Sequence, residues 1–168
     1  MVVELSGRKF MRSHLIGFLL LVFLFSPAYP SWALEHDYGK QYLVGADFSD
    51  TDLRGATFYL TNLQNANLSG SNLEGASLFG AKLLKTDLSN TNLKNATLDS
   101  SILDGADLTN AYLEDAFAFN TQFKDVKISG SDFTNVLITN DQRNYLCSIA
   151  SGTNSVSTRN TRDSLECK

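Results

Sequence analysis

Apolar residues recur at every fifth position from Phe48 to Ile138, without a single insertion. Most of them are leucine. Phenylalanine or isoleucine occurs near the two ends, and Ala118 is the one small exception. A small or β-branched residue precedes each of these repeat centres by two positions. The centres are Phe48, Leu53, Phe58, Leu63, Leu68, Leu73, Leu78, Leu83, Leu88, Leu93, Leu98, Leu103, Leu108, Leu113, Phe123, Ile128, Phe133 and Ile138. The pattern predicts one repeated architecture over residues 46–140.

A period of five fits neither an α-helix nor a straight strand. Five residues advance about 500° on a helix, so an apolar stripe would drift around it. On a strand, a step of five moves a side chain to the opposite face. The chain must therefore turn in every pentapeptide. Glycine or asparagine, which tolerate turn dihedrals, often stands two positions after the centre, as at Gly70 and Asn95.

Turns of about a right angle would close one coil of about 20 residues, and coils would stack at about 4.8 Å. Residues 20 positions apart are alike, since positions 56, 76, 96 and 116 are all alanine. The sequence thus predicts an all-β solenoid of about 19 pentapeptides, which make just under five coils. The rod would be on the order of 23 Å long.

The repeat units resemble those of the pentapeptide-repeat family, as in residues 66–70 (Ala-Asn-Leu-Ser-Gly) and 106–110 (Ala-Asp-Leu-Thr-Asn). This resemblance implies a right-handed quadrilateral β-helix over residues 46–140. Residues 146–154 and 161–167 are in turn similar to the C-terminal extension of family members from the thylakoid lumen of cyanobacteria and chloroplasts. That similarity implies an exported protein.

Residues 1–33 have the features of a secretory signal peptide. Basic residues precede an apolar run over residues 15–25, and Ser31 and Ala33 are small residues at the expected cleavage positions. We predict cleavage after Ala33 and export to the thylakoid lumen or periplasm. A membrane anchor is the less favoured alternative, because eleven apolar residues are too short to span about 30 Å of hydrocarbon. No membrane span is predicted after cleavage. Cleavage would change the formal net charge from −4 to about −6.

The two ends of the repeat are predicted to be covered, because open coils would expose unpaired backbone groups. Residues 34–45 form the predicted N-terminal cap segment. Residues 141–168 form the predicted C-terminal cap, whose helix would begin with Asn140 or Asp141 as its N-cap and run to about Ala150.

Cys147 and Cys167, both beyond the repeat, are the only cysteines. In an exported protein two cysteines most simply form one disulfide, which would stabilise the C-terminal segment by roughly 3 kcal/mol. Two free thiols and a redox-active pair are the alternatives.

No catalytic motif appears, so the sequence predicts neither an enzyme nor a cofactor. His36 is the only histidine after residue 33, and no motif places a nucleophile beside it. Asp47, Asp87 and Asp107 fall in one outward column that could be interpreted as a calcium ladder. Asn67 interrupts this column, which favours a solvated face. We therefore predict no metal site.

Outward apolar residues are concentrated on one side of the predicted solenoid. They are Tyr59, Phe79 and Phe119 in one column, and Phe117 and Leu137 in the next. Such a patch is typical of a contact surface. Two alternatives are that terminal segments cover it, or that a slip at Ala118 turns Phe117 or Phe119 inward.

These features predict an exported, non-enzymatic structural protein that binds an unidentified protein partner or itself, and no nucleic acid. A second possibility follows from the family resemblance, because some members are acidic DNA mimics that bind DNA gyrase. The negative charge agrees with that role, but export argues against it. The third possibility is a redox-responsive lumenal protein that acts through Cys147 and Cys167.

Overall fold

The structure is a computed structural model that describes residues 36–168, and these residues form one compact unit. The predicted signal peptide, residues 1–33, lies outside the described residues. Within residues 36–168, no helix is long and apolar enough to cross a membrane.

The repeat forms a four-sided β-helix. Parallel bridges join residues 20 positions apart, from Asp37 with Thr57 to Phe117 with Leu137. Each side contributes a single bridged residue to the ladder, because the chain turns again before a longer strand can form. We number the sides by their centres: side 1 has Tyr38, Phe58, Leu78, Leu98, Ala118 and Ile138; side 2 has Leu43, Leu63, Leu83, Leu103 and Phe123; side 3 has Phe48, Leu68, Leu88, Leu108 and Ile128; side 4 has Leu53, Leu73, Leu93, Leu113 and Phe133.

Hydrogen bonds between coils satisfy the backbone. The Leu68 N–H donates to the Asp87 carbonyl of the next coil at 2.8 Å, and the Asn67 N–H donates to the Ala46 carbonyl of the previous coil at 2.9 Å. The residue two after the centre has a positive φ, as at Gly70 (+68°) and Asn95 (+57°), which produces the corner. The five-residue period is therefore one extended side plus one corner.

The interior holds two side chains from each side, the centre and the small residue before it. Leu68 and Ala66 show the arrangement, with 0% and 1% exposure. Where the small residue is polar, its hydroxyl in most cases donates to a carbonyl, as Thr86 Oγ1 does to Leu63 O at 2.8 Å, and Ser101 is an exception whose buried hydroxyl has no partner. Buried hydroxyls with partners cost little stability. The predicted centres from Leu53 to Phe133 are buried, and Phe48 and Ile138 at the two ends are half-buried.

Ala118 keeps the register of the coil. It is fully buried, and its N–H donates to the Leu137 carbonyl at 3.0 Å. Phe117 and Phe119 point outward, with exposures of 42% and 45%. The alternative in which a slip turns one of these rings inward is therefore wrong.

Residues 36–45, which lie in the predicted N-terminal cap segment, continue the coil. Asp37 and Tyr42 bridge to the next coil, and Tyr38 and Leu43 occupy centre positions. The sequence pattern hid this register, since the large residues His36 and Gln41 stand where small ones occur elsewhere. The Tyr38 ring stacks on Phe58 with centroids 4.8 Å apart, so it covers this end of the core.

Two helices follow the coils: α1 is Asn140–Ile149 and α2 is Thr161–Ser164. Thr139 is the N-cap of α1, in place of the predicted Asn140 or Asp141. Its side chain accepts a bond from the Gln142 N–H, while Gln142 Oε1 accepts one from the Thr139 N–H. This capping box fixes the start of α1. Leu146 is its buried residue and joins the core.

Candidate interaction surfaces

Side 1 places all five predicted contact residues at the surface. The exposed fractions are 39% for Tyr59, 39% for Phe79, 42% for Phe117, 45% for Phe119 and 45% for Leu137. They point outward because neighbours of an inward centre lie on the opposite face of an extended segment. These exposed fractions show that none of the five side chains belongs to the core and that residues 139–168 do not bury them.

These residues form two groups and not one strip. The upper aromatic pair is Tyr59 and Phe79, whose rings stack with centroids 5.8 Å apart and planes 18° apart. Asp99 follows in the same column, and its Oδ1 accepts a hydrogen bond from the Phe119 N–H at 2.7 Å. This carboxylate separates the pair from a lower apolar patch, which consists of Phe117, Phe119 and Leu137.

Leu60 belongs beside the upper aromatic pair, and sequence analysis missed it. It occupies the corner between sides 1 and 2, where it is 47% exposed and has a φ of +54°. A Cβ on Gly80 would lie only 2.6 Å from Leu60 Cδ2, so the absence of a side chain at Gly80 makes room for this leucine. The available signal was a leucine at a corner position, where glycine and asparagine are typical.

The cations divide between the sides. Arg54, Lys94, Lys127, Arg143 and Arg159 are held in ion pairs with carboxylates. On side 2 and its corners, four lysines have no carboxylate oxygen of residues 36–168 within 4.0 Å of their ammonium groups. These lysines are Lys40, Lys82, Lys85 and Lys124, and none of the paired cations lies on side 2 or its corners.

A polar network on side 4 holds the segment that follows α1. Glu114 accepts bonds from Lys94 Nζ at 2.8 Å, Tyr112 Oη at 2.7 Å and Arg159 Nη1 at 2.8 Å. The hydrogen bonds from Lys94, Tyr112 and Arg159, in that order, lower the pKa of Glu114 to about 2. Arg159 Nη1 also donates to Thr134 Oγ1 at 2.9 Å. The network therefore ties Arg159, 45 residues along the chain, to the coil.

Replacing Glu114 by glutamine is expected to lower the thermal midpoint at pH 7. Because the folded pKa of Glu114 is depressed, its stabilisation is present above about pH 4.5 and is lost as the pH falls through about 2. The midpoints of the two proteins should thus converge near pH 2. Thermal melts followed by circular dichroism from pH 7 to pH 2 measure this. Glu74→Gln, two coils above in the same column, is the matched control, and a constant difference at all pH values would contradict the expectation.

Cys147 and Cys167 are joined in a disulfide with a Cα–Cα distance of 5.6 Å. It links α1 to the chain end beyond α2. Arg143 Nη1 pairs with Glu166 at 2.7 Å, and Arg162 Nη1 donates to the Cys147 carbonyl at 2.8 Å. A cleft of about 690 Å³ lies beside the disulfide. Among the described residues, no group of three or more histidine, cysteine, aspartate or glutamate residues converges on a point that would hold a metal ion.

The family model for pentapeptide repeats matches in eight copies, over residues 41–70, 58–95, 71–110 and 101–140. The chain belongs to the pentapeptide-repeat family, as the sequence resemblance predicted.

Solved structures and a curated relative agree with this assignment. A pentapeptide repeat protein from the Arabidopsis thaliana thylakoid lumen is 39% identical, covers 87% of this chain and 99% of its own, and has a TM-score of 0.77. One from the cyanobacterium Cyanothece 51142 is 26% identical, covers 55% of this chain and 64% of its own, and has a TM-score of 0.53. The Arabidopsis thaliana chloroplast protein "Thylakoid lumenal 15 kDa protein 1" is 50% identical over 48 residues, which are 29% of this chain and 21% of that relative.

The match with this curated relative thus spans about a fifth of that relative's length, 21%. The two Arabidopsis relatives are both proteins of the thylakoid lumen. The chain is a pentapeptide-repeat protein of the thylakoid-lumen type, in agreement with the predicted export.

Proposed function

We propose that this protein is a non-enzymatic structural protein of the thylakoid lumen that binds a protein partner through the lower apolar patch, Phe117, Phe119 and Leu137. The observation that supports this role most directly is the exposure of all three side chains, at 42–45%, on a rod whose other sides are mainly polar. Contiguous exposed apolar side chains on an exported rod are typical of protein contacts.

The support under the patch is rigid. Phe117 and Leu137 are bridged neighbours in successive coils, and backbone bonds on both sides of Phe117 join the coils, from the Ala118 N–H to the Leu137 carbonyl and from the Leu137 N–H to the Ala116 carbonyl. In this proposal the coils, which number just over five once residues 36–45 are included, and α1 as a C-terminal helical cap hold the patch in place without a partner. Binding then orders few additional groups, which favours affinity.

The charges beside the patch define the partner further. Asp99 lies between the patch and the upper aromatic pair, and Asp115 lies at the adjacent corner between sides 4 and 1. The patch itself carries no charge, because its three residues are apolar. We expect a partner whose contact surface has an apolar centre and lysine or arginine at its rim, because complementary charges favour encounter.

The acidic DNA-mimic role is not favoured by the arrangement of the carboxylates. On side 3, Asp87 and Asp107 are followed in the column by Lys127, whose ammonium pairs with Asp107 at 2.9 Å. A mimic of a nucleic-acid backbone requires a continuous line of unpaired negative charge.

A photo-crosslinking amino acid at position 119 tests the proposal. The crosslinker is incorporated in the 36–168 protein, which is illuminated in a thylakoid-lumen extract, and products are identified by mass spectrometry. We expect one main protein adduct, which the unlabelled wild type competes away and the folded Phe117→Ser/Leu137→Ser variant does not. The same crosslinker at Ser89 on side 3 is the control. Equal adducts from positions 89 and 119 would contradict the proposal. An adduct of twice the protein's own mass would show that the patch binds a second copy of this protein and not a different partner.

A further inference from the structure

The corner between sides 1 and 2 carries a second feature that the proposed protein contact does not use. At the N-terminal end of the rod, exposed aromatic and aliphatic side chains lie beside two lysines along this corner. We define the ridge as Lys40, Tyr42, Tyr59, Leu60, Phe79 and Lys82. Tyr42 is 78% exposed, and Leu60 is 47% exposed.

The backbone holds the ridge at a conformational cost. Leu60 has a φ of +54°, in the left-handed region that leucine rarely adopts, and it is the one large apolar residue among the described corners, most of which carry glycine, asparagine or aspartate. The core does not require leucine there, because the side chain lies outside. Strain of this kind at an exposed apolar residue points to a functional contact.

The lysines of the ridge are available for a ligand. Lys40 Nζ lies 5.9 Å from the centroid of the Tyr59 ring. Within the described residues, neither Lys40 nor Lys82 has a carboxylate partner, whereas the cations of sides 3 and 4 are paired. The ridge is therefore a local positive surface on a chain with a formal net charge of −4.

We propose that this ridge binds the surface of a membrane that contains anionic lipids. Tyrosine, phenylalanine and leucine beside lysine form the set of side chains that inserts at a headgroup boundary, with the ammonium groups on the lipid phosphates. A corner of the rod is convex, so its side chains reach into a deformable surface. A protein partner would need a matching groove. The lower apolar patch lies at the other end of side 1, so the protein would contact the membrane and its partner at separate places.

A single tryptophan reports the contact. Residues 36–168 contain no tryptophan, since the only one in the chain is Trp32. Phe79→Trp places the probe on the ridge, and Phe119→Trp places it on the lower apolar patch as the matched control. The 36–168 proteins are titrated with vesicles of phosphatidylcholine alone or with phosphatidylglycerol. We expect a blue shift of the emission for Phe79→Trp only, with phosphatidylglycerol only, and weaker at high salt because charges are then screened.

Two lysine variants with equal net charge test the position of the binding site. Lys40→Asn with Lys82→Gln is expected to weaken vesicle binding about twenty-five-fold, from a roughly fivefold effect of each lysine. Asparagine suits the positive φ of +59° at position 40. Lys127→Gln with Lys168→Gln removes the same charge elsewhere, and we expect less than a threefold effect. Circular dichroism confirms that each variant is folded.

Leu60→Asn separates the contact from folding. Asparagine adopts a positive φ more readily than leucine, so the thermal midpoint should stay the same or rise while vesicle binding falls. The proposal is overturned by the absence of a blue shift at position 79, by equal losses from the two lysine pairs, or by unchanged binding of Leu60→Asn. It is also overturned if polyglutamate binds the ridge and vesicles do not, because the occupant would then be an acidic protein segment. None of these results depends on the crosslink at position 119.

Discussion

Replacing Leu88 by alanine is expected to lower the free energy of unfolding by about 2 to 5 kcal/mol. Leu88 is fully buried at the middle of side 3, between Leu68 and Leu108. The substitution removes three carbon atoms from an interior that neighbouring coils cannot refill, because their hydrogen bonds fix the distance between them. In a solenoid each coil contacts only its neighbours, so the loss also uncouples the coils above from those below.

Chemical denaturation of the 36–168 protein measures this effect. Leu84→Ala is the matched control, because Leu84 points outward on side 2 and is only partly buried. Its cost should stay within about 0.5 kcal/mol. Leu88→Met, which conserves volume, should cost less than about 1.5 kcal/mol. A cost for Leu88→Ala no larger than that for Leu84→Ala would show that the interior relaxes, contrary to the close packing of stacked centres.

Replacing Cys147 and Cys167 together by serine is expected to destabilise the C-terminal segment by about 3 kcal/mol, the loop-closure value for a 20-residue separation. The loss should be local, because α2 and residues 165–168 bond α1, the last coil and the segment between the two helices, and no bond joins them to the middle of the rod. The tethers that remain include the Arg143–Glu166 ion pair at 2.7 Å, the bond from the Phe133 N–H to Ser164 Oγ at 3.0 Å and the bond from Arg162 Nη1 to the Cys147 carbonyl at 2.8 Å. They do not close the covalent loop.

Hydrogen exchange measures this prediction residue by residue. The Leu165 and Cys167 amides, which donate to Thr161 and Arg162, should exchange about a hundredfold faster in the variant. The Leu83 amide in the middle of the rod is the internal control and should not change. Equal exchange in residues 141–168 with and without the disulfide would refute the stapling role. A loss of protection along the whole rod would show instead that the C-terminal cap stabilises all the coils. Reduction of the Cys147–Cys167 disulfide would then affect both the lower apolar patch and the ridge.

Most of the interior was predictable from the sequence, because it depends on a short covalent period. The residue at each fifth position must point inward if the corners repeat, and the 20-residue spacing follows from the likeness of Ala56, Ala76 and Ala96. The period failed at the N-terminal end. There His36 and Gln41 replace the small residues, which the open end of the coil tolerates, so the first ten described residues were assigned to a separate segment.

The surfaces were predictable only in part. The outward direction of Tyr59 and Phe119 follows from the register, but the division of side 1 does not. It depends on Asp99 accepting a bond from the next coil, and on Leu60 lying over Gly80. Both contacts join residues 20 positions apart, and neither leaves a motif in the sequence.

By itself, then, the sequence determined the coil, its period and the residues that fill it, because each of these is set within five residues by one inward side chain and one corner. Only the tertiary structure decided which cations are paired and which remain available, and where the C-terminal segment lies. Those features depend on contacts between distant parts of the chain, such as Arg159 with Glu114 across 45 residues. Charges so far apart in sequence meet only after the coils have stacked.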